Sequence, residues 1–537
     1  MKTIDQVIQT VSRPERILQY GEGNFLRGFA DWQIDILNEK TGFNGNVAAV
    51  QPRNREGAQG AQINTQRGLY TTVLRGLEGG KKVEERRVIR SLSRCINPYT
   101  QFDEYFACAE NPDLRFVFSN TTEAGISYHE GEKLPDRPQL SFPGKLAAFL
   151  HRRYERFQGD PSKALVIIPC ELIDRNGDTL RHIVERHAAA WKLGEDFTRW
   201  LGACVFCNTL VDRIISGFPA GEEEALWEKL GYQDKLLTAG ELFYLWVIEK
   251  PKTAPGAPPW DYRREFPLEE AGLNVVWTSN LEFYRTRKVR ILNGAHSSIA
   301  LAASLYGLDT VDQCMTDPVL HKFTRRAIFD EVIPSIELDT RADDGTGVEA
   351  LTRFAHETLE RFANPFIKHQ LLSISLNGVS KFKTRVLPSI LSYQQKYGRA
   401  PKALCCSLAA LIVFYRGRNI ADGEMEGRRT KNGENSPYPI RDDGEILRYF
   451  ADLWAAFDKA PNPQPALSTP AALEPPMIQE LVHKALSRRE LWGEDLSVYP
   501  ALEEAVRGAL EIILKDGVGA ALEQAAEEPA TSTGPRK

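Results

Sequence analysis

The stretch "ERILQYGEGNFLRGFADWQIDIL", residues 15 to 37, constrains the fold more than any other part of the chain. A short apolar run ends at Gly21 and Gly23, a third glycine follows at Gly28, and helical spacing begins there. Glycines at such a junction let the backbone approach a dinucleotide pyrophosphate at a helix N-terminus, whose amides and dipole favour anions. A lone G-x-G also fits a plain structural turn. Here it lies between strand and helix, and a second apolar strand, "NVAAV", follows at the distance expected of a βαβ unit. Gly21, Gly23, Asn24 and Phe25 are therefore candidate cofactor contacts. The acid that usually holds the adenosine ribose is missing, because the second strand ends in Gln51, Pro52 and Arg53. Glu56 is the nearest acid and Arg53 could accept a 2′-phosphate, so these residues leave NAD and NADP both open.

The alternation continues through "LRFVFSN", "KALVIIPC" and "GACVFCNTL", with amphipathic segments between several of the runs. That pattern predicts a parallel sheet flanked by helices. Polar clusters close these runs: Ser119, Asn120, Thr121, Thr122 and Glu123; then Glu171 and Asp174; then Asn208 and Asp212. Each alone fits a cap or turn. Together, at strand ends, they mark a crevice for cofactor and substrate, with Ser119, Thr121, Thr122 and Glu123 assigned to the cofactor. Pro and Gly crowd residues 249–267, and beyond them apolar residues recur at helical spacing, as in "VEALTRFAHETLERFA" and "ALCCSLAALIVFYRG". The expected organisation is an α/β domain over 1–280, a mainly α-helical domain over 281–520 interrupted by the irregular stretch 460–476, and a flexible tail over 521–537.

At 537 residues the chain is too long for one ordinary core. Its 42% hydrophobic and 26% charged content is that of a globular protein, and a net charge of -5 with scattered Lys and Arg gives no reason to expect nucleic acid as a partner. The first residues lack the apolar core of a signal peptide, and no apolar run approaches about 20 residues, so a cytoplasmic protein without a membrane partner is expected. Eight cysteines, with Cys405 and Cys406 adjacent, do not form a disulfide framework. Cys204 and Cys207 make a C-x-x-C with no second pair to complete a zinc site, and His182 with His187 misses H-E-x-x-H spacing. No metal is expected.

In the helical half, "RKVRILNGAH", residues 287 to 296, sets Lys288, Asn293 and His296 among apolar neighbours. On a regular helix they fall within roughly 140° of arc. A dehydrogenase must move a proton to or from the reacting oxygen while stabilising its alkoxide-like charge. Lys288 could carry that proton if burial and the neighbouring Arg287 and Arg290 lowered its pKa, and Asn293 and His296 could donate to the oxygen. A snorkelling lysine beside two capped polar groups is the plainer alternative. Tyr284 and Lys288 also form Y-x-x-x-K, in which tyrosine would be the acid, but chain length and the G-x-G pattern oppose that assignment.

The spacing K-x4-N-x2-H and "GEGNFLRGF" resemble the polyol-specific long-chain dehydrogenases, the mannitol dehydrogenase family. "QRGLYTTVLRG", "FVFSNTTEAGISYH", "IIPCELIDRNGD", "CNTLVDRII", "ILNGAH" and "NPFIKHQLLSISLNGVSKFKTRVLP" follow in that family's order, so the likeness covers nearly the whole chain. It implies a Rossmann-type N-terminal domain, a mainly helical C-terminal domain, NAD(H), no metal and a cleft between the domains. By the same resemblance Lys288 is the general acid or base, Asn293 and Asn208 form the oxyanion hole, His296 bonds a substrate hydroxyl or the oxygen itself, and Lys381 binds substrate. Two positions depart from the family: Ser373 stands where the mannitol enzymes have arginine, and Arg285 where they have a carboxylate. Added positive charge suits a small uronate or aldonate better than a neutral polyol. Arg285, Lys368, Lys383 and Arg385 are candidates for its carboxylate, and His369 for the pocket wall. A reductase of an epimeric keto acid, a neutral-polyol dehydrogenase and a catalytically silent dinucleotide sensor are the rival readings. Monomer and small homo-oligomer both remain open.

Overall fold

Ile17 of strand Glu15–Tyr20 packs into one apolar cluster while Leu18 and Tyr20 pack into another. A strand covered on both faces reads as a continuous apolar run, which is why "ERILQY" and "NVAAV" show little alternation. The computed structural model describes residues 1–54, 59–250, 260–337, 347–431, 433–459 and 475–527, in two compact units, Met1–Tyr284 and Arg285–Lys537.

In the first unit six parallel strands lie in the order Leu92–Ile96, Asn46–Val50, Glu15–Tyr20, Phe116–Ser119, Val166–Pro169 and Val205–Phe206. Counted along the sheet this is 3-2-1-4-5-6, the doubly wound dinucleotide-binding order, and it reverses between Glu15–Tyr20 and Phe116–Ser119. Ligands of such sheets sit outside the carboxyl ends of the strands at that reversal, where Gly21 and Asn120 lie. Two smaller sheets complete the unit. One runs Ile215–Gly217, Thr238–Glu241, Tyr70–Glu78, Lys81–Ile89, and the other Val275–Thr278, Leu245–Glu249, Thr209–Asp212. The chain leaves the parallel sheet for the last of these at Cys207 and Asn208, both buried.

The second unit is built around helices Gly294–Tyr306 and Lys402–Phe414, which pack on each other and are buried on nearly every side. Helices Leu371–Ser375 and Gly378–Arg385 also pack on Gly294–Tyr306. Their approach is close, since a Cβ on Gly294 would lie 3.0 Å from the carbonyl oxygen of Arg385. A three-stranded antiparallel sheet, Gly417–Ala421, Glu424–Lys431 and Glu434–Arg441, interrupts the helices and is absent from the sequence reading.

The tail expected from 521 is corrected over its first residues. Helix Val518–Ala526 buries Ala521, Leu522, Ala525 and Ala526, an apolar stripe at helical spacing, and packs on helix Pro500–Asp516. Glu56, most of the irregular stretch 460–476 and the rest of the tail lie outside the described residues.

Candidate active site

Gly21 adopts a φ of +127°, and a Cβ there would stand 3.0 Å from Leu26 Cδ1 and 3.2 Å from the Asn120 carbonyl oxygen. At Gly23 a Cβ would meet nothing within 4 Å, so the backbone is open. At Gly28 it would meet Ile215 Cδ1 at 2.7 Å, so this glycine permits close helix packing. A tight turn, an open approach and a close helix contact are the three uses of glycine in a pyrophosphate-binding turn, and these residues fit a dinucleotide. The helix begins at Asn24 and continues through a π-turn, Arg27–Asp31, into Trp32–Lys40. Its first amides have no acceptor within the helix, which leaves them for an anion.

Asn24 and Phe25 open the helix that follows the turn. The Asn24 carboxamide accepts from Arg27 and, at 3.4 Å, from Gln59, and the Phe25 ring stacks on Phe29 at 5.1 Å. Beneath the turn lie two charged residues that the sequence reading missed. Arg27, 1% exposed, donates to the carbonyls of Glu22 and Leu236 at 3.3 and 2.6 Å. Asp31, fully buried, accepts from Gln19 and Tyr70, and burial raises its carboxyl to about 7 against those bonds and Arg27. Charged residues inside the otherwise apolar "LRGFAD" were the available signal.

The second polar cluster is held together by a buried carboxylate. The buried carboxylate of Glu171 accepts from Ser119 Oγ at 2.9 Å and from the amide and hydroxyl of Thr121 at 2.9 and 3.0 Å. Burial raises the Glu171 pKa against these bonds. The Ser119 and Thr121 hydroxyls thus tie adjacent strand ends together. Thr122 is exposed, has a φ of 77°, and accepts from Arg53 at 3.3 Å. Glu123 lies in a short 3-10 turn, Glu123–Gly125. Asn208 is fixed at both ends of its amide: Nδ2 donates to Glu249 Oε2 at 2.6 Å and Oδ1 accepts from the Asp178 amide at 3.0 Å. One Nδ2 hydrogen remains beyond the Glu249 bond. Cys204 and Cys207 are buried thiols, and burial raises Cys204 to about 11. Among the described residues no group of three or more His, Cys, Asp or Glu is placed to hold a metal ion, and no helix is long and apolar enough to cross a membrane.

In the second unit the opening helix is not regular. Lys288–Asn293 is a π-turn, in which the Gly294 amide donates to the Val289 carbonyl five residues earlier. The wider π-turn brings Lys288 and Asn293 nearer to one face than the roughly 140° that five steps of a regular helix would set between them. His296 follows one α-turn on, its ring stacked on Phe362 at 4.1 Å and edge-on to His369 at 5.1 Å. Burial, then the Lys381 charge, lowers the His369 pKa. Lys381 donates to the Ile374 carbonyl at 2.9 Å, and burial followed by Arg385 lowers its pKa. Arg385 reaches Ser297 Oγ at 3.4 Å. Lys288, Asn293, His296, His369, Lys381 and Arg385 are thus linked through the Gly294–Tyr306 helix and its neighbours. Lys368 stands apart, 62% exposed at its side chain and paired with Asp312 at 2.6 Å. Arg285 lies three residues before Lys288 on helix Leu281–Arg287.

The chain belongs to the mannitol dehydrogenase family. The family's Rossmann-domain model matches residues 15–262 and its C-terminal-domain model residues 280–443. Among its relatives, the altronate oxidoreductase of Pectobacterium carotovorum subsp. carotovorum (strain PC1) is 43% identical over 95% of this chain and 96% of that protein. The altronate oxidoreductase of Klebsiella pneumoniae (strain 342) is 45% identical over 94% and 95%. A crystal structure of D-sorbitol dehydrogenase, 20% identical, superposes with a TM-score of 0.73 over 97% of this chain and 100% of that one. Pseudomonas fluorescens mannitol 2-dehydrogenase in ternary complex with NAD and D-mannitol, also 20% identical, gives 0.62 over 96% and 95%.

Proposed function

We propose that this protein is an NAD-dependent oxidoreductase that interconverts D-tagaturonate and D-altronate, in galacturonate breakdown in the cytoplasm. The observation that carries the reading is the π-turn that opens with Lys288 and closes with Asn293, with His296 following on the next helix. The extent of identity to altronate oxidoreductases supports the acid-sugar substrate.

Gly21, Gly23 and the first amides of the following helix would hold the pyrophosphate, with Arg27 and Asp31 fixing the turn from below. NADH, when bound, supplies the hydride that reduces the ketone. Lys288 delivers the proton to the ketone oxygen and takes it back from the alcohol in the reverse direction. Asn293 donates a hydrogen bond to that oxygen as negative charge develops on it, an interaction stronger in the transition state than in the ground state. Asn208, on the first unit, keeps the amide-donor role that the family resemblance implies for it. His296, held against Phe362, orients a substrate hydroxyl, and His369 and Lys381 line the same pocket.

The test follows NADH absorbance with purified protein offered D-tagaturonate, D-fructuronate and D-fructose in parallel, with NADPH as control. Tagaturonate is expected to be reduced fastest. Preference for fructuronate would keep the chemistry and move the enzyme to the epimeric acid; silence with all three would support the sensor reading.

A further inference from the structure

Arg385 differs from the other cations of the second unit. It ends helix Gly378–Arg385, is half-buried, and reaches Ser297 Oγ at 3.4 Å. Among the described residues no carboxylate pairs with it, whereas Lys368 is paired with Asp312 and points to solvent. Lys383, two residues away and on the other side of the helix, lies against Gly493, where a Cβ would meet its Nζ at 3.2 Å. Lys381, on the same helix, feels the charges of both Arg385 and Asp442. Lys381 stands one turn earlier, and Asp442, which acts on Lys381, accepts from the Val379 amide and the Tyr415 hydroxyl. Burial lowers the Arg385 pKa, and among the described residues no acidic group opposes it. A guanidinium taken partly out of water without a counter-ion is costly unless a ligand supplies the anion.

We propose that Arg385, oriented by Ser297, binds the carboxylate of the sugar-acid substrate and sets the preference for acid over neutral sugars. The placement fits the length of such a molecule. Asn293 and Ser297 are four residues apart, about 6 Å along a helix, which is close to the span of the four C–C bonds between ketone and carboxylate in an extended 2-ketohexuronate. With the ketone at Lys288 and Asn293, the carboxylate reaches the Arg385 fork, whose planar donors match it in two parallel hydrogen bonds. A site built to pair a charged group rejects a substrate that lacks it. The inference rests on the acid-sugar reading above.

The experiment compares kcat/KM for D-tagaturonate and for D-tagatose, its neutral counterpart, in the wild type, Arg385→Gln, Arg385→Lys and Arg285→Gln, with NADH affinity measured by fluorescence. Arg385→Gln is expected to lose about 100-fold or more on the acid and less than about 3-fold on the neutral ketose, with NADH binding unchanged. Arg385→Lys keeps the charge without the fork and should fall between; it reads the same ratio if the glutamine variant does not fold. Equal losses on both sugars, or a selective loss in Arg285→Gln and none at Arg385, overturn the proposal. If the wild type prefers D-fructuronate, the substrate reading fails and the same ratio is taken with D-fructose. If it prefers a neutral ketose to either acid, both fail.

Discussion

Gln19 Nε2 stands 3.3 Å from Asp31 Oδ2 and 3.0 Å from the carbonyl oxygen of Gly21, so one amide ties a buried carboxyl to the glycine turn. Burial raises that carboxyl to about 7. The folded value lies above the unfolded one, so the protonated group's contribution to stability is fully present below about pH 4 and is lost as pH rises through about 7. Urea unfolding of wild type and Asp31→Asn across pH 5 to 9 measures it. The wild type should lose more stability over that range, on the order of 3 kcal/mol from this group. Parallel profiles would show that Asp31 ionises at its ordinary pKa.

At Gly21 the φ of +127° and the 3.2 Å approach to the Asn120 carbonyl both exclude a side chain. Gly21→Ala should destabilise the first unit by about 1–3 kcal/mol and weaken NADH binding at least tenfold. The same substitution at Gly23, where nothing lies within 4 Å, should cost little stability and act on the cofactor alone. Thermal melts with and without NADH separate the two; indistinguishable melts would remove the distinct roles given to these glycines.

The parallel sheet was legible because strands covered on both faces must be apolar throughout, and the glycine turn because Gly21, at a φ of +127°, has a backbone that side chains rarely adopt. Lys288, Asn293 and His296 were legible as a spacing, but a helical period of 3.6 could not show the π-turn that spans the first two. Ser119 and Thr121 have a protein partner that the sequence could not show. A hydroxyl at a strand end serves a ligand or a buried carboxylate equally well, and the partner that claims them, Glu171, lies fifty-two residues from Ser119. The sheet of Gly417–Arg441 escaped because "EMEGRRTK" has few apolar residues to betray a period of two. Phe362 against His296 is a contact between distant helices, which no local pattern reveals.

Lys288→Ala should lower kcat by at least about 10³-fold while NADH affinity stays within twofold, because the residue acts on the proton and not on the dinucleotide. Tyr284→Phe is the companion. Tyr284 is 6% exposed, and its variant should keep substantial turnover. Near-total loss in Tyr284→Phe with activity retained in Lys288→Ala would transfer the acid role to the tyrosine.

Asn293 holds its place through the backbone of the turn, so truncating its side chain should leave the helix intact. As a donor to developing charge it should matter to kcat more than to KM, and Asn293→Ala should cost about 10²–10³-fold in kcat. Asn293→Asp should be worse than alanine, because a carboxylate one turn from Lys288 repels the developing alkoxide and holds the lysine's proton. Steady-state kinetics of the two variants, with circular dichroism as the check on folding, decide the point. A rise in KM with kcat unchanged would make Asn293 a ground-state binding residue, and the oxyanion role would fall to Asn208, whose amide is held by Glu249 at 2.6 Å and by the Asp178 backbone.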